Sequence, residues 1–291
     1  RKIASIFIGG GTPSLLPIAQ YQQLFAGIKA QLTLTHDCEI TMEANPATVE
    51  HAPFHEYLAV GINRLSLGVQ SFQTQKLAAL GRIHNPQQAL FAIANAQQAG
   101  FKKLNVDLMH GLPNQTLADA LSDLQQAIDL GVSHISWYQL TIEPNTVFAK
   151  HPPEVPEDDT AYAMLDRITE RTALAGLQRY EVSAYARSGH RCDHNLNYWQ
   201  FGDYLGIGAG AHSKLSFPHR VIRQTRWREP AAYMQHTQAG SAVSSSDEVT
   251  REALPFEFML NALRLIDGFV IEEAIHRGGM ATLIGDGDTL A

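Results

Sequence analysis

The sequence predicts an α/β fold, with a parallel sheet in the first half of the chain and a smaller mixed or helical region after it. Apolar runs with strand character alternate with helical segments up to about residue 150, a pattern typical of repeated βα units. A proline-rich stretch, His151 to Pro156, then interrupts the alternation and marks a boundary. We therefore expect an open or complete parallel β/α barrel, with a doubly wound sheet as the alternative.

Five strands are predicted in the first half of the chain: Ile3 to Ile8, Glu39 to Ala44, Arg64 to Val69, Lys103 to Met109 and His134 to Leu140. The first of these strands ends abruptly in three glycines, a threonine and a proline. An apolar run bounded in this way suits a buried strand that is covered on both faces. The glycines let the backbone come close to a ligand, although a tight turn explains them equally well.

Helical segments separate these strands. Leu24, Ile28 and Leu32 recur at four-residue spacing and predict the apolar face of one helix. Thr116 and Asp119 fit a capping box at the start of another helix, which continues with apolar residues at helical spacing.

The second half of the chain has a different character. A helix is predicted from Asp158 to about Ala175, a strand from Tyr180 to Tyr185 and an edge strand from Arg220 to Trp227, with mostly helical sequence beyond Pro230. We divide the chain into a barrel core over residues 1–150, a connecting α+β region over residues 151–228 and a mainly helical C-terminal domain over residues 229–291.

Composition limits the kind of partner that the protein has. A formal net charge of −7 argues against nonspecific binding of nucleic acid or of an anionic membrane surface. Two cysteines, Cys38 and Cys192, are too few for a disulfide framework. Because the sequence has neither a signal-peptide pattern nor an apolar run long enough to span a bilayer, we expect a cytoplasmic location.

The two ends of the sequence suggest a fragment. The chain begins Arg1-Lys2-Ile3 without an initiator methionine and enters a strand at once. It closes with the turn-like run Gly285 to Asp288. We expect sequence to be missing before the first strand, and the ending raises the same expectation for the C-terminus.

Polar residues lie at the end of every predicted strand, where parallel α/β folds bind their ligands. They are Gly9 to Pro13, Glu43 to Pro46, Gln70 to Phe72, Asp107 late in the fourth strand with His110 just past it, and Thr141 with Glu143 and Asn145. Together with Arg82, this set suits a ligand that bears an ammonium, a carboxylate and a ribose. Each residue alone also has a structural explanation, such as capping a helix or bonding loop amides. Phosphate-loop, dinucleotide and hydrolase motifs do not occur.

Four motifs resemble the radical S-adenosylmethionine (SAM) enzymes related to oxygen-independent coproporphyrinogen III oxidase: Gly9-Gly10-Gly11-Thr12-Pro13-Ser14, Glu43-Ala44-Asn45-Pro46, Arg64 to Phe72 and Asn105 to Pro113. Two later runs, His194 to Trp199 and Tyr204 to Ser213, resemble the HemW-type haem chaperones within that group. The family fold is a partial (β/α)6 barrel followed by a smaller C-terminal domain.

The resemblance implies a SAM site. Its contacts would be Gly10, Gly11 and Thr12 with Glu43 at the amino end, Arg82 at the carboxylate, Gln70 and Asp107 at the ribose hydroxyls, and Thr141 with Met109 near the adenine. His194 is the residue that the resemblance assigns to haem, although it could instead brace the domain beside Tyr198 and Trp199. His212 and His110 are weaker haem candidates.

The family also holds a [4Fe–4S] cluster through a C-x-x-x-C-x-x-C motif that precedes the glycine-rich loop. Cys38 and Cys192 are far apart in the sequence and match no part of that motif. Because thiolates are needed to hold such a cluster, we expect no metal ligands in this chain, no cluster, and no reductive cleavage of SAM.

Three functions remain open. The first is a haem chaperone of the radical SAM superfamily, which binds haem and SAM and delivers haem to acceptor proteins, including membrane-associated respiratory proteins, with an electron donor serving the cluster of the parent protein. The second is an oxygen-independent coproporphyrinogen III dehydrogenase that uses SAM radical chemistry. The third is a non-catalytic barrel that acts as a binding module.

Overall fold

The computed structural model describes residues 1–48 and 53–279 of the chain. These residues form two compact units, which divide between His194 and Asn195. The three-part division at residues 150 and 228 stays a prediction. The turn expected at Gly285 to Asp288 lies outside the described residues.

The first unit is built on one seven-stranded sheet. In spatial order its strands are β1 (Ile3–Ile8), β2 (Leu34–Ala44), β3 (Arg64–Gln70), β4 (Lys103–His110), β5 (His134–Gln139), β7 (Ala184–Ala186) and β6 (Gln178–Glu181). The pairings from β1 to β5 are parallel, and β7 pairs antiparallel with both β5 and β6. The sheet curls into a half-barrel, so the predicted α/β barrel class is confirmed.

Helices connect the parallel strands. They are α1 (Ile18–Gln31), α2 (Phe54–Ala59), α3 (Thr74–Ala79), α4 (Pro86–Gln98), α5 (Leu117–Asp129), α6 (Val147–Lys150) and α7 (Asp158–Leu174). The predicted capping box of α5 is confirmed, because the hydroxyl of Thr116 accepts from the Asp119 amide and the Asp119 carboxylate accepts from the Thr116 amide. The predicted helix from Asp158 is confirmed as α7.

Three local predictions were wrong. Strand β1 is a half-buried edge strand and not a buried central one, because only β2 pairs with it. Helix α1 buries Tyr21 and Phe25. Of the predicted apolar face, Ile28 packs against the core, but Leu24 is 37% exposed. The strand predicted from Tyr180 to Tyr185 is a hairpin, in which β6 and β7 flank a two-residue turn.

The strands of the half-barrel have one apolar face and one polar face. In β2, Ile40 and Met42 join the core that packs against the helices. Glu39, Thr41 and Glu43 alternate with them and therefore lie on the opposite side of the strand. We call this opposite side of strands β1 to β5 the inner face; it carries the candidate site.

The second unit contains a three-stranded antiparallel sheet, in the order β10 (Val243–Glu248), β9 (Arg220–Arg226) and β8 (His212–Phe217). Its helices are α9 (Pro230–Gln238), α10 (Leu254–Ala262) and α11 (Ile271–Gly278), and α8 (Asp193–Trp199) contains the boundary between the units. Strand β9 is central, so its prediction as an edge strand was wrong. Strand β10 lies in sequence that was predicted to be mostly helical, because its polar run gives no alternating apolar signal.

Among residues 1–48 and 53–279, no helix combines the length and the apolar character that crossing a bilayer requires.

Candidate functional site

A row of polar side chains crosses the inner face of the half-barrel. The strand register places Glu43 of β2 beside Ser66 of β3, and Ser66 beside Asn105 of β4. Two residues further along β4, Asp107 pairs with Ser136 of β5. Because register partners share a face of the sheet, side chains that are far apart in sequence come together here.

The glycine loop after β1 adjoins this row. Gly10 and Gly11 have φ angles of 81° and 59°, which L side chains rarely adopt, and neither has another atom where a Cβ would stand. The amide of Gly10 hydrogen-bonds the carboxylate of Glu43, which opposes the rise in the Glu43 pKa caused by burial. A Cβ on Gly9 would lie 2.7 Å from the ring of Phe7 and 3.0 Å from Glu43 Oε2, so only glycine fits there.

Asp107 is a carboxylate with an elevated affinity for protons. Burial raises its pKa to about 6, and the negative charge of Glu43 adds to this rise. Three hydrogen-bonding side chains, Asn105, Ser66 and Ser136, oppose this rise in the pKa. Asn105 Nδ2 lies 2.8 Å from Asp107 Oδ1, and Ser66 Oγ lies 3.2 Å from Oδ2. Two acidic groups under mutual repulsion favour a ligand that brings positive charge and hydrogen-bond donors.

Gln70 ends β3 in an uncommon backbone conformation. Its φ of 69° lies in the left-handed region, where a residue other than glycine is strained by roughly 1–3 kcal/mol. Its side chain is 8% exposed, and its Nε2 lies 3.2 Å from the point where a Cβ of Gly68 would stand. Gly68 lies two residues after Ser66 and therefore faces the same side of β3. The side-chain amide of Gln70 thus lies over the inner face, on the strand next to that of Asp107.

Two other predicted contacts, Thr12 and Met109, are half-buried. Thr12 precedes the 3₁₀ turn Pro13–Leu15, and its carbonyl accepts from the Leu15 amide at 3.0 Å. Met109 lies two residues after Asp107 on β4, so both residues face the inner side of the sheet.

Two further predicted contacts, Arg82 and Thr141, are exposed. The loop that carries Arg82 is tied to the end of β3, because Nε2 of His84 lies 2.9 Å from the carbonyl oxygen of Val69. Thr141 follows β5, where its hydroxyl lies 3.4 Å from the carbonyl oxygen of Gln139. Arg82 and Thr141 lie in segments that follow β3 and β5, and their roles as ligand contacts stay predictions.

His194 packs against β1. Its ring stacks on Phe7 with centroids 4.3 Å apart and planes inclined by 14°. Burial lowers the pKa of His194 to about 4, although the charge of Glu39 opposes this shift. The imidazole is therefore neutral at pH 7, the form in which histidine donates a lone pair to a metal.

The two weaker histidine candidates lie elsewhere. His212 is exposed on β8, where its Nδ1 lies 3.3 Å from the hydroxyl of Thr225. His110 is 2% exposed at the end of β4, and burial lowers its pKa to about 4.

Sequence reasoning missed a buried cluster of charges at the other end of the inner face. Glu39 is fully buried, 3.0 Å from Arg64 Nε and 2.8 Å from Lys103 Nζ. Burial raises the pKa of Glu39, but the two cations outweigh this effect and lower it overall. The sequence feature that could have predicted this cluster is a charged residue at alternate positions of otherwise apolar strands.

This cluster also anchors the segment that leads to His194. Arg64 Nη2 donates to the carbonyl oxygens of residues 190 and 191, each at 2.8 Å. Glu39 Oε1 accepts from the Asp193 amide at 2.9 Å. These bonds hold the segment in place and thereby position His194 against Phe7.

We tested whether the described residues fit the groups that the sequence suggested. The exposed glycine backbone at Gly10 and Gly11 and two acidic side chains, Glu43 and Asp107, fit an amino-acid nucleoside that carries an ammonium and hydroxyls. An iron–sulfur cluster does not fit, since residues 1–48 and 53–279 contain no group of three or more His, Cys, Asp or Glu side chains arranged as metal ligands. Cys38 and Cys192 are buried free thiols.

Comparison with known proteins adds relatives. Residues 1–127 match the Radical SAM superfamily. The chain is 51% identical over 281 residues to the heme chaperone HemW of Escherichia coli K12, covering 96% of this chain and 73% of that protein. It is 49% identical over 274 residues to HemW of Haemophilus influenzae, covering 94% of this chain and 70% of that protein.

Among solved structures, the chain resembles the coproporphyrinogen III oxidase HemN of Escherichia coli, a radical SAM enzyme. The TM-score is 0.76 at 22% identity, and the match covers 91% of this chain and 64% of HemN. At this identity the resemblance shows the fold and not the reaction.

Proposed function

Because the chain belongs to the HemW family of the radical SAM superfamily, we propose that it binds S-adenosylmethionine and haem and delivers haem to acceptor proteins. The observation that supports SAM binding is the meeting of the glycine loop, Glu43 and Asp107 on the inner face of the half-barrel. Haem is the cargo in this proposal and not a resident cofactor.

The SAM contacts follow from the chemistry of each group. Backbone carbonyl oxygens of the loop at Gly10 and Gly11, together with the Glu43 carboxylate, would accept hydrogen bonds from the amino end of SAM. Asp107 and Gln70 would accept from and donate to the ribose hydroxyls. Arg82 would pair with the ligand carboxylate through its planar guanidinium. When bound beside an iron–sulfur cluster that donates an electron to it, SAM would supply the radical chemistry of this superfamily.

His194 is the proposed haem contact. Its neutral imidazole retains a lone pair for iron over the whole physiological pH range, because burial keeps its pKa at about 4. The buried charges of Glu39 and Arg64 hold the backbone on its N-terminal side. An anchored ring loses less freedom on binding haem than a mobile one would.

Titration of the protein with haem, followed through the Soret band, tests this proposal. We expect saturable binding by the wild type, a large loss of affinity in His194→Ala, and no change in His212→Ala, which removes an exposed imidazole outside the proposed contact. Circular dichroism shows whether each variant is folded. Equal haem affinity in His194→Ala and the wild type would refute the assignment of His194 as the haem contact.

A second assay separates the chaperone from the enzyme alternative. A version of the protein that includes the cluster-binding cysteines would be incubated with coproporphyrinogen, a reductant and SAM. We expect no protoporphyrinogen, and its formation would establish the oxidase reaction instead. Lack of any SAM affinity in that version would favour the non-catalytic binding module.

A further inference from the structure

A chain of hydrogen bonds runs beneath the inner face from Asp107 to the end of the sheet. Asn105 Nδ2 lies 2.8 Å from Asp107 Oδ1, and Asn105 Oδ1 lies 2.6 Å from His134 Nδ1. His134 Nε2 lies 2.9 Å from the hydroxyl of Tyr180, whose oxygen accepts from the Cys192 amide at 3.3 Å. His134 is 1% exposed and Tyr180 is fully buried, so water does not compete for these bonds.

The end of the chain at Asp107 determines the orientation of the amide. An ionised carboxylate only accepts hydrogen bonds, so Asn105 must turn its NH₂ group towards Asp107. The amide oxygen of Asn105 then faces His134, which must carry its proton on Nδ1. The hydroxyl of Ser136, 3.1 Å from the same oxygen, also donates to it.

The end at Tyr180 is compatible with the same tautomer. The Cys192 amide donates to the hydroxyl oxygen of Tyr180, and the Tyr180 hydroxyl donates to His134 Nε2, the ring nitrogen that carries no proton in this tautomer. Burial lowers the pKa of His134 well below its usual value, so only one ring nitrogen carries a proton. The hydrogen bonds therefore all run in one direction. The Cys192 amide donates to Tyr180, and Tyr180 donates to His134. His134 donates to Asn105, and Asn105 donates to Asp107.

We propose that His134 and Tyr180 are positioning residues for the ligand site, because they hold Asn105 in the one orientation that donates to Asp107. This inference rests on the proposed function, in which Asp107 contacts SAM. With the opposite tautomer of His134, the amide of Asn105 would turn its oxygen towards the Asp107 carboxylate. Two acceptors would then face each other, and Asp107 would take up a proton more readily and lose its role as an acceptor.

Two substitutions of His134 separate this role from simple packing. In His134→Asn the amide nitrogen replaces Nδ1, so a donor to Asn105 remains. In His134→Gln the amide reaches the position of Nε2, and the donor to Asn105 is lost. We expect calorimetry to show SAM affinity near that of the wild type for His134→Asn and a roughly tenfold loss for His134→Gln, the effect of one hydrogen bond to a charged group.

Tyr180 has a matched control in Tyr185, a buried tyrosine on the adjacent strand whose hydroxyl lies 3.0 Å from that of Thr169. We expect Tyr180→Phe to weaken SAM binding and Tyr185→Phe to leave it unchanged. Equal affinities in these two variants, or in the two His134 variants, would overturn the proposal.

Nuclear magnetic resonance gives readouts that need no ligand. Nitrogen-15 shifts of the wild type should show the proton of His134 on Nδ1, and a proton on Nε2 would refute the directional chain. Carbon-13 titration should show a higher pKa for Asp107 in His134→Gln than in His134→Asn. If the wild type fails to bind SAM while both spectra agree with the chain, the proposed function fails and the positioning of Asp107 stands.

Discussion

The affinity for SAM should fall as the pH falls through 6, because Asp107 becomes protonated. Its pKa is raised to about 6, mainly by burial, so the carboxylate accepts hydrogen bonds from a ligand above that pH and loses this capacity below it. By the titration relation, about nine-tenths of the Asp107 side chains are ionised at pH 7 and about one-tenth at pH 5. If only the ionised form binds, the apparent affinity falls roughly tenfold between these two values.

Isothermal titration calorimetry at pH 5, 6, 7 and 8 measures this effect in the wild type and in Asp107→Asn. The asparagine keeps the shape of the side chain and can still accept from Asn105, but it does not titrate. At pH 7 we expect Asp107→Asn to bind SAM more weakly by about 1–3 kcal/mol, the range for losing a hydrogen bond to a charged group. Its affinity should depend less on pH than that of the wild type.

The comparison of slopes makes the test specific to Asp107. Burial also raises the pKa of Glu43, so some pH dependence from that carboxylate should remain in Asp107→Asn. Glu43→Gln should conversely keep the dependence that comes from Asp107. If Asp107→Asn follows the same pH slope as the wild type, or if wild-type affinity is constant from pH 5 to 7, another group contacts the ligand and our reasoning about Asp107 is wrong.

Three further predictions concern stability and binding. Glu39→Gln should lower the free energy of unfolding in urea by about 3–5 kcal/mol, because the buried guanidinium of Arg64 and the half-buried ammonium of Lys103 lose the charge of Glu39. Glu170→Gln in an exposed ion pair should cost no more than about 1 kcal/mol, and similar values for both variants would contradict the role of the buried cluster. Phe25→Ala should lower the free energy of unfolding by about 3–5 kcal/mol in the same assay, and Leu24→Ala should lower it much less. A larger loss in Leu24→Ala would show that Leu24 belongs to the buried face of the helix. Arg82→Lys should weaken SAM binding in calorimetry, since an ammonium does not form a bidentate contact with a carboxylate; unchanged affinity would exclude Arg82 from that role.

Much of the fold could be predicted because the relevant signals are local. The parallel strands β1 to β5 were found from apolar runs, and the start of α5 from the reciprocal bonds of Thr116 and Asp119. Predictions failed where local pattern and tertiary packing disagreed. Leu24 fits a helical stripe, but the helix turns Tyr21 and Phe25 towards the sheet. Strand β10 lacks an apolar stripe and is formed by pairing with β9.

The sequence by itself determined which chemical groups lie at the carboxyl ends of strands β1 to β4: the glycines of the first loop, Glu43, Gln70 and Asp107. This was possible because the carboxyl ends of parallel strands must share one end of the sheet. Only the tertiary structure decided what surrounds them, including the pairing of Asn105 with His134 and the stacking of His194 on Phe7. Those contacts depend on register and on curvature between distant segments, and the raised pKa of Asp107 depends on the burial that they create.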